Sequence, residues 1–309
     1  MNWFDIPTPE QNWLVRGLIT SDGHASITGK PKAGKSTMIR ELVSCIINDK
    51  KFLGREIDIE KSTGKVFYLH LDRKDRPHRV VAELKRLGIG REDAHRLLFR
   101  TETDMPKEPA DRIPWLVKEV MTGSKTHLIV IDLMWQFMKA KSSNDYNAII
   151  DAINNLQDAL NEAHYKGALL VAMHARKAEG AEAFDDILGT TGQRGSFSTN
   201  LMCKFYRKDK VYTVQSDQTD RDESLGELEE TIVERDADKH LILIRPFEEL
   251  QREKKKTERE EGVVRLLSYI TARGNCTVED MCSSLSMARK TVLKLLPELK
   301  DLTFKTGKG

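Results

Sequence analysis

The chain has 309 residues, with 50 Lys+Arg against 48 Asp+Glu, a formal net charge of +2; charged residues make up 32 % and apolar residues 39 %. That length suits one large domain and a small one, or two ordinary domains. The almost cancelled charge excludes a polybasic tail protein and an acidic disordered chain, and the apolar content is enough for a core.

No run of about 18 apolar residues occurs, so no membrane span is expected. The segment from Met1 to Pro7 has no basic stretch followed by an apolar one, so no secretory signal is expected. Cys45, Cys203, Cys276 and Cys282 form no CxxC pair and have no His at zinc spacing. A reducing cytoplasm is therefore the expected compartment.

In chain order, apolar β-rich runs alternate with helical patterns. His24–Thr28 is a strand before a Gly-rich turn. Ser36–Asn48 puts Met38, Ile39, Leu42, Val43 and Ile46 on one helix face. Val66–Leu71 is a strand, and Pro77–Leu87 a helix with Val80, Val81, Leu84 and Leu87. His127–Ile131 is almost wholly apolar, as a parallel strand buried on both faces is. Asn144–Tyr165 is an amphipathic helix with Ile149, Ile153, Leu156 and Leu160 as its stripe, and Ala168–Met173 another buried strand. Leu201–Tyr206, Val211–Gln215 and Leu241–Ile244 follow as strands. The pattern predicts an α/β fold, a mainly parallel sheet with antiparallel additions.

Gln251–Glu261 is a charged run with no apolar residue, a solvated helix or a linker. It divides the chain into a domain of residues 1–250, a linker of 251–260 and a terminal domain of 261–309. Residues 251–309 carry 13 Lys+Arg against 8 Asp+Glu, a net of +5, which leaves 37 against 40, a net of −3, for residues 1–250.

Gly29-Lys-Pro-Lys-Ala-Gly34-Lys35-Ser36 fits GxxxxGK[ST], with a strand before it and a helix after it. Its glycines let the loop curl so that backbone N–H groups point at phosphate oxygens, and the helix adds its N-terminal dipole. Gly29, Lys32, Ala33, Gly34, Lys35, Ser36 and Thr37 are the candidate nucleotide-binding residues. Lys35 is expected on the β- and γ-phosphates of ATP, and Ser36 on Mg²⁺. Asp132 ends an apolar strand, where open α/β sheets bind ligands, and is the second candidate Mg²⁺ group. Asp72 also ends a strand; it is either a base that orients or deprotonates water or the cap of the next turn. His174 follows a third strand, as a γ-phosphate sensor or a structural histidine.

This series resembles the RepA-type hexameric helicases of plasmids and phages, within the RecA-like ATPases, over roughly residues 12–246. Trp13–Leu18 is similar to the segment before their first core strand, Gly29–Ser36 to their Walker A and His127–Asp132 to their Walker B. Val66–Asp72 resembles their strand with an acidic end, where Glu is usual, and Arg79 matches an Arg after it. Met173–Lys177 resembles their His-His-x-x-Lys segment, with Met173 replacing the first His. Arg194-Gly195-Ser196 matches an Arg-Gly-Ser segment, and Thr219–Glu223 resembles a segment built around Gly-Arg-Asp.

The resemblance implies a RecA-like sheet, with Asp72 beside Asp132 and the phosphate loop. It implies a homo-oligomeric ring, a hexamer, with ATP between subunits. An arginine finger from the neighbour then stabilises the transferring charge; Arg221 is the first candidate and Arg207 the second. Arg194 is a further γ-phosphate contact. A channel lined by Lys139, Lys141, Arg176 and Lys177 would grip single-stranded DNA.

The terminal residues show three helical patterns. Thr277–Asp280 resembles a capping box opening Val278–Leu285, Ser286 is expected to cap Met287–Leu299, and Leu302 to begin a strand and wing. This reads as a winged helix-turn-helix that binds DNA or a protein, with Arg289, Lys290 and Lys294 on one face.

The expected function is an ATP-hydrolysing ring motor on DNA, a helicase for replication of a plasmid, phage or mobile element. The alternative is an ATP-dependent DNA-binding regulator, loader or genome-defence component that uses the core as a switch. A small-molecule kinase is a third class, opposed by the His174 region and the terminal module. Because the basic excess lies at the end of the chain, removing residues 251–309 is expected to flatten the salt dependence of DNA binding. A truncated chain with the full slope would place the contact in the channel loops.

Overall fold

Strands buried on both faces of a parallel sheet are apolar throughout, and alternation then divides their side chains between the two helical layers. In a computed structural model this division organises the larger part of the chain. Residues 11–122, 125–139, 146–175, 196–218 and 226–306 are described, the side chains of 146, 147, 149 and 300–306 excepted. The chain divides into two units, residues 1–245 and 246–309.

In the first unit, β1 (Trp13–Val15) and β2 (Ile19–Thr20) form a small antiparallel pair. The main sheet contains β3 (His24–Gly29), β4 (Val66–His70), β5 (Leu97–Thr101), β6 (Leu128–Asp132), β7 (Ala168–His174), β8 (Thr199–Tyr206), β9 (Val211–Gln218), β10 (Thr231–Arg235) and β11 (Leu241–Pro246). Its order is β11-β10-β9-β8-β3-β7-β6-β4-β5. β8, β3, β7, β6, β4 and β5 pair in parallel, whereas β9 runs antiparallel to both β8 and β10. The expected mainly parallel sheet with antiparallel additions is what forms.

The helices are α1 (Lys35–Ile47), α2 (Pro77–Arg86), α3 (Arg112–Met121), α4 (Met134–Phe137) and α5 (Tyr146–Glu162). Ile27, Tyr68, Val130 and Leu170 pack with Ile39, Leu42, Val43 and Ile46 of α1. Leu69, Ile129, Ile131 and Val171 pack on the other face with Leu116 of α3 and Ile153, Leu156 and Leu160 of α5. Each apolar run thus feeds two cores.

β5, α3 and β10 are not among the elements the sequence predicts. Every residue of β5 is half-buried at the sheet edge, so no apolar alternation marks it. β10 has only five residues and gains its place from pairing with β9.

The second unit has three helices, α6 (Phe247–Arg273), α7 (Val278–Leu285) and α8 (Arg289–Thr306). Its core joins Val263 and Leu266 of α6 to Met281 of α7 and Val292, Leu295 and Leu299 of α8. The charged run expected as a linker over 251–260 lies inside α6, where its side chains are solvated and i,i+4 pairs such as Glu248–Arg252 form. Thr277 and Asp280 make the expected reciprocal capping box.

Two local expectations are corrected. Ser286 does not open the last helix; it ends α7 in the left-handed region, with φ 52°. Residues 302–306 are helical, not the start of a wing, because α8 continues past Pro297 along the stripe of Val292, Leu295 and Leu299. No strand occurs in this unit among the described residues. No helix among them is long and apolar enough to cross a membrane.

Burial holds the imidazoles of His24, His127 and His174 below their ordinary value of 6.5. His127 Nδ1 accepts the Lys65 N–H at 3.2 Å, which requires that nitrogen unprotonated. The folded chain therefore binds fewer protons than the unfolded one as pH falls through 6.5, and stability falls with it. Denaturant midpoints are expected to drop from about pH 7.5 to about pH 5.5, less steeply in His127→Gln. A midpoint independent of pH would contradict this.

Candidate active site

The alternation that buries the strands also aims their polar residues. On β4, Val66 and Tyr68 face α1, so His70 and the following Asp72 share that parity. On β6, Leu128 and Val130 face α1, and Asp132 follows with the same parity. Register then aligns the ends, pairing His70 with Asp132 and Gly29 with His174.

The phosphate loop joins β3 to α1. A Cβ on Gly29 would lie 2.3 Å from the backbone oxygen of Cys203, so only glycine fits between β3 and β8 there. Gly34 has φ 94°, a left-handed conformation that a side chain would strain. Lys32 is exposed and Ala33 buried, and Thr37 lines the cleft.

Lys35 is buried, with its ammonium donating to the carbonyls of Gly29 at 2.7 Å and Lys30 at 3.3 Å. It lies 3.5 Å from His174 Nδ1, which can only accept from an ammonium. Burial draws the Lys35 pKa down, opposed by the carboxylates of Asp132 and Asp72. Burial and the Lys35 charge together keep His174 neutral at pH 7.

Asp132 is fully buried, and that burial pushes its carboxyl up from the ordinary carboxylate value. The charges of His70 and Arg40 and the hydroxyls of Ser36 and Tyr68 oppose the rise. Tyr68 donates to Asp132 Oδ2 at 3.2 Å, while Asp132 Oδ1 is buried with no hydrogen-bond partner among the described residues. A buried carboxylate oxygen without a donor, beside a serine hydroxyl, fits a divalent cation with oxygen ligands. The residues present therefore suit Mg²⁺ as well as phosphate.

Asp72 is half-buried and lines the cleft, and its Oδ1 accepts the Lys74 N–H at 3.0 Å. Both readings of this residue thus have a geometric basis. The cleft itself is a cavity of about 1210 Å³. The phosphate loop, Asp72–Asp75, Leu133, Trp135, Gln136 and His174 line one part, and Lys210–Thr213, Val233–Arg235 and Leu241 the other.

Several cleft residues escape the sequence reading. Tyr212 stands 3.4 Å from where a Gly34 Cβ would be and stacks on Phe205 with ring centroids 4.5 Å apart. Trp135 has a buried indole N–H with no partner among the described residues. Arg40 and Arg235 line the wall. The strand parity of Tyr68 and His70 is readable in Val66–Asp72; the approach of β9 to the phosphate loop is not, because it depends on β8 pairing with β3.

Other expected residues are not brought to the cleft. Arg207 is exposed on the β8–β9 turn, and Lys139 is exposed with its ammonium donating to the Lys107 carbonyl at 2.6 Å. In the second unit, Arg289 pairs with Glu279, and Lys290 and Lys294 are exposed on α8. Lys141, Arg176, Lys177, Arg194 and Arg221 lie outside the described residues.

Residues 1–180 match the AAA domain family, AAA_25. The chain belongs to that family. The matched stretch of this AAA domain protein carries the phosphate loop, Asp72, Asp132 and His174. Among solved structures, the KaiC-like protein PH0186 from Pyrococcus horikoshii OT3 is similar with a TM-score of 0.53 and 10 % identity, over 75 % of this chain and 93 % of that one. The RadB recombinase is similar with a TM-score of 0.50 and 15 % identity, over 73 % of this chain and 92 % of that one. At these identities the likeness is one of fold; the AAA domain match, with its phosphate loop, implies nucleotide binding. No curated protein matches the chain.

Because the Cys203 carbonyl belongs to a paired strand and cannot move aside, Gly29→Ala is expected to cost about 1–3 kcal/mol of stability and to weaken ATP binding. Thermal unfolding and titration with a fluorescent ATP analogue check this. An unchanged melting temperature would contradict the close approach of β3 and β8.

Proposed function

We propose that the chain is an ATP-hydrolysing ring motor acting on DNA, a hexameric helicase in the replication of a plasmid, phage or mobile element. The observation that carries the ATPase part is the convergence of Lys35, Ser36 and His174 on one cleft, with Asp132 buried beside Ser36 and one of its oxygens unpartnered among the described residues. The parallel sheet and the AAA family match support the same part. That one of the similar structures is named a recombinase favours a role on DNA.

In this reading the loop amides between Gly29 and Thr37 bind the triphosphate. Lys35 leaves the Gly29 and Lys30 carbonyls for the β- and γ-phosphates. Ser36 and Asp132 hold Mg²⁺, which when bound neutralises charge on the phosphate oxygens. Tyr212 offers an aromatic wall for the base, exposed over 43 % of its surface. Asp72 orients a water and takes its proton as the water oxygen bonds to the γ-phosphorus and the bond to ADP breaks. His174 and Arg194 report loss of the γ-phosphate; Lys35, at 3.5 Å from His174, would link that histidine to the phosphate. Arg221, or Arg207 on the β8–β9 turn, acts from the neighbouring subunit, an effect worth about 10³–10⁵ in rate.

DNA contact falls to Lys139, Lys141, Arg176 and Lys177 in the ring and to Lys290 and Lys294 of α8. Arg289 is engaged with Glu279 in an exposed pair that DNA phosphate displaces at little cost. One observation favours the second reading, an ATP-dependent DNA-binding switch that does not unwind. Asp72 has a shorter arm than Glu, and its Oδ1 is already tied to Lys74 N–H.

Lys35→Ala is expected to abolish hydrolysis, and Asp72→Asn to preserve nucleotide binding while slowing turnover by at least about 100-fold. Strand displacement that requires hydrolysis supports the motor; tight DNA binding with negligible turnover supports the switch. Normal turnover in Asp72→Asn would remove Asp72 as the base.

A further inference from the structure

The phosphate-loop helix carries a buried arginine to which no role in nucleotide chemistry has been assigned. Arg40 lies four residues beyond Ser36, on the same face of α1, and its side chain is 6 % exposed. Its guanidinium bonds two carboxylates from different elements, Asp75 beyond β4 and Glu83 on α2. Glu83 also accepts from Arg235 of β10 at 2.7 Å, on the opposite wall of the cleft.

Asp75 closes the turn that Asp72 opens. The Asp75 N–H donates to the Asp72 carbonyl at 3.0 Å, and the Lys74 N–H to Asp72 Oδ1 at 3.0 Å. His70 Nε2–H donates to the Asp75 carbonyl at 2.6 Å. The turn is therefore held at one residue, Asp75, by a side chain from the phosphate-loop helix and by one from β4. A planar fork that meets two carboxylates is a task for arginine rather than lysine.

We propose that Arg40 is a positioning residue for hydrolysis, fixing the Asp72–Asp75 turn to the phosphate-loop helix so that the Asp72 carboxylate keeps a set distance from the bound triphosphate. The proposal rests on the reading of the cleft as an ATPase site. Arg40 does not touch the reacting atoms; beside its charge on Asp132, which any background retains, it acts through Asp75 on Asp72. Because Glu83 joins the same guanidinium to Arg235, a shift of the β10 wall also reaches this turn. A misplacement of about 1 Å can cost on the order of 10²-fold in rate, so a small loosening of the turn is enough to matter.

The test is a double-mutant cycle in the full chain. Arg40→Gln is expected to lower kcat about tenfold, with KM for ATP and the affinity for a fluorescent ATP analogue within about threefold. In an Asp72→Asn background, read by single-turnover assay, the same substitution is expected to cost less than about twofold. Arg40→Lys is expected to fall between Arg40→Gln and wild type. An equal loss in both backgrounds would mean that Arg40 supports the fold and not Asp72. Should Arg40→Gln fail to fold, Asp75→Asn carries the same cycle with the Arg40–Glu83 pair intact. Hydrogen exchange at the Lys74 and Asp75 amides, which needs no turnover, is expected to quicken in either variant, and unchanged exchange overturns the proposal. Wild-type protein that binds ATP without turnover would instead overturn the ATPase reading and with it the role in hydrolysis, and amide exchange then decides only whether Arg40 holds the turn.

Discussion

A fully buried carboxylate at the end of a central strand makes a heavy demand on the groups around it. Asp132 has no solvent to share its charge, and an unpaired carboxylate in that position would carry a desolvation penalty of several kcal/mol. The surrounding architecture is the answer to it. Tyr68 reaches it from β4, Ser36 from the start of α1, and the charges of His70 and Arg40 act on it from the same face. One oxygen is still left without a donor among the described residues. The site thus suits a cation, and a bound cation would relieve the imbalance that remains.

The two halves of the sheet contribute different things. The parallel half puts loops with chemistry at one edge, because every strand there ends in the same direction. Gly29, Asp132 and His174 are therefore neighbours through register and not through sequence. The antiparallel half, β8 to β10 with β11 beside it, adds a wall. Tyr212, Val233, Arg235 and Leu241 turn a phosphate edge into a deep cleft. Polar contacts join the halves: Arg235 pairs with Glu83, and His240 Nδ1–H donates to the buried Glu41 carboxylate of α1 at 2.7 Å. Buried pairs of this kind add little net stability but are costly to break singly, so they specify one arrangement of the wall.

The second unit is built on a different principle. Its core is a narrow stripe, and its surface keeps exposed Lys290, Leu293 and Lys294 together on α8. Gly262 lets α6 and α8 approach closely, since a Cβ there would lie 2.8 Å from Leu295 Cδ1. The charge of this unit and that of the first have opposite signs. The nearly neutral total of +2 with which the chain presents itself is a sum over two parts of opposite sign.

Much of the fold was legible beforehand, because apolar runs such as Leu128–Ile131 and Leu169–Met173 have only one economical place, between two helical layers. The phosphate loop was legible for a local reason: two glycines, a lysine and a hydroxyl act within eight consecutive residues. The edge strand β5 and the short β10 were not, because partly exposed residues leave no alternation to read. The end of α8 also went unread, since a Thr and a Phe near the terminus outweighed the continuing stripe of Val292, Leu295 and Leu299.

By itself the sequence determined the nucleotide loop, the alternating architecture and the division into an acidic body and a basic end. All three depend on residues close together in the chain. Only the tertiary structure decided that Arg40 meets Asp75 and Glu83, that Lys35 lies beside His174 and that Tyr212 walls the cleft. Those meetings are set by strand register and helix packing across as many as 178 positions, from Gly34 to Tyr212, and no local pattern encodes them.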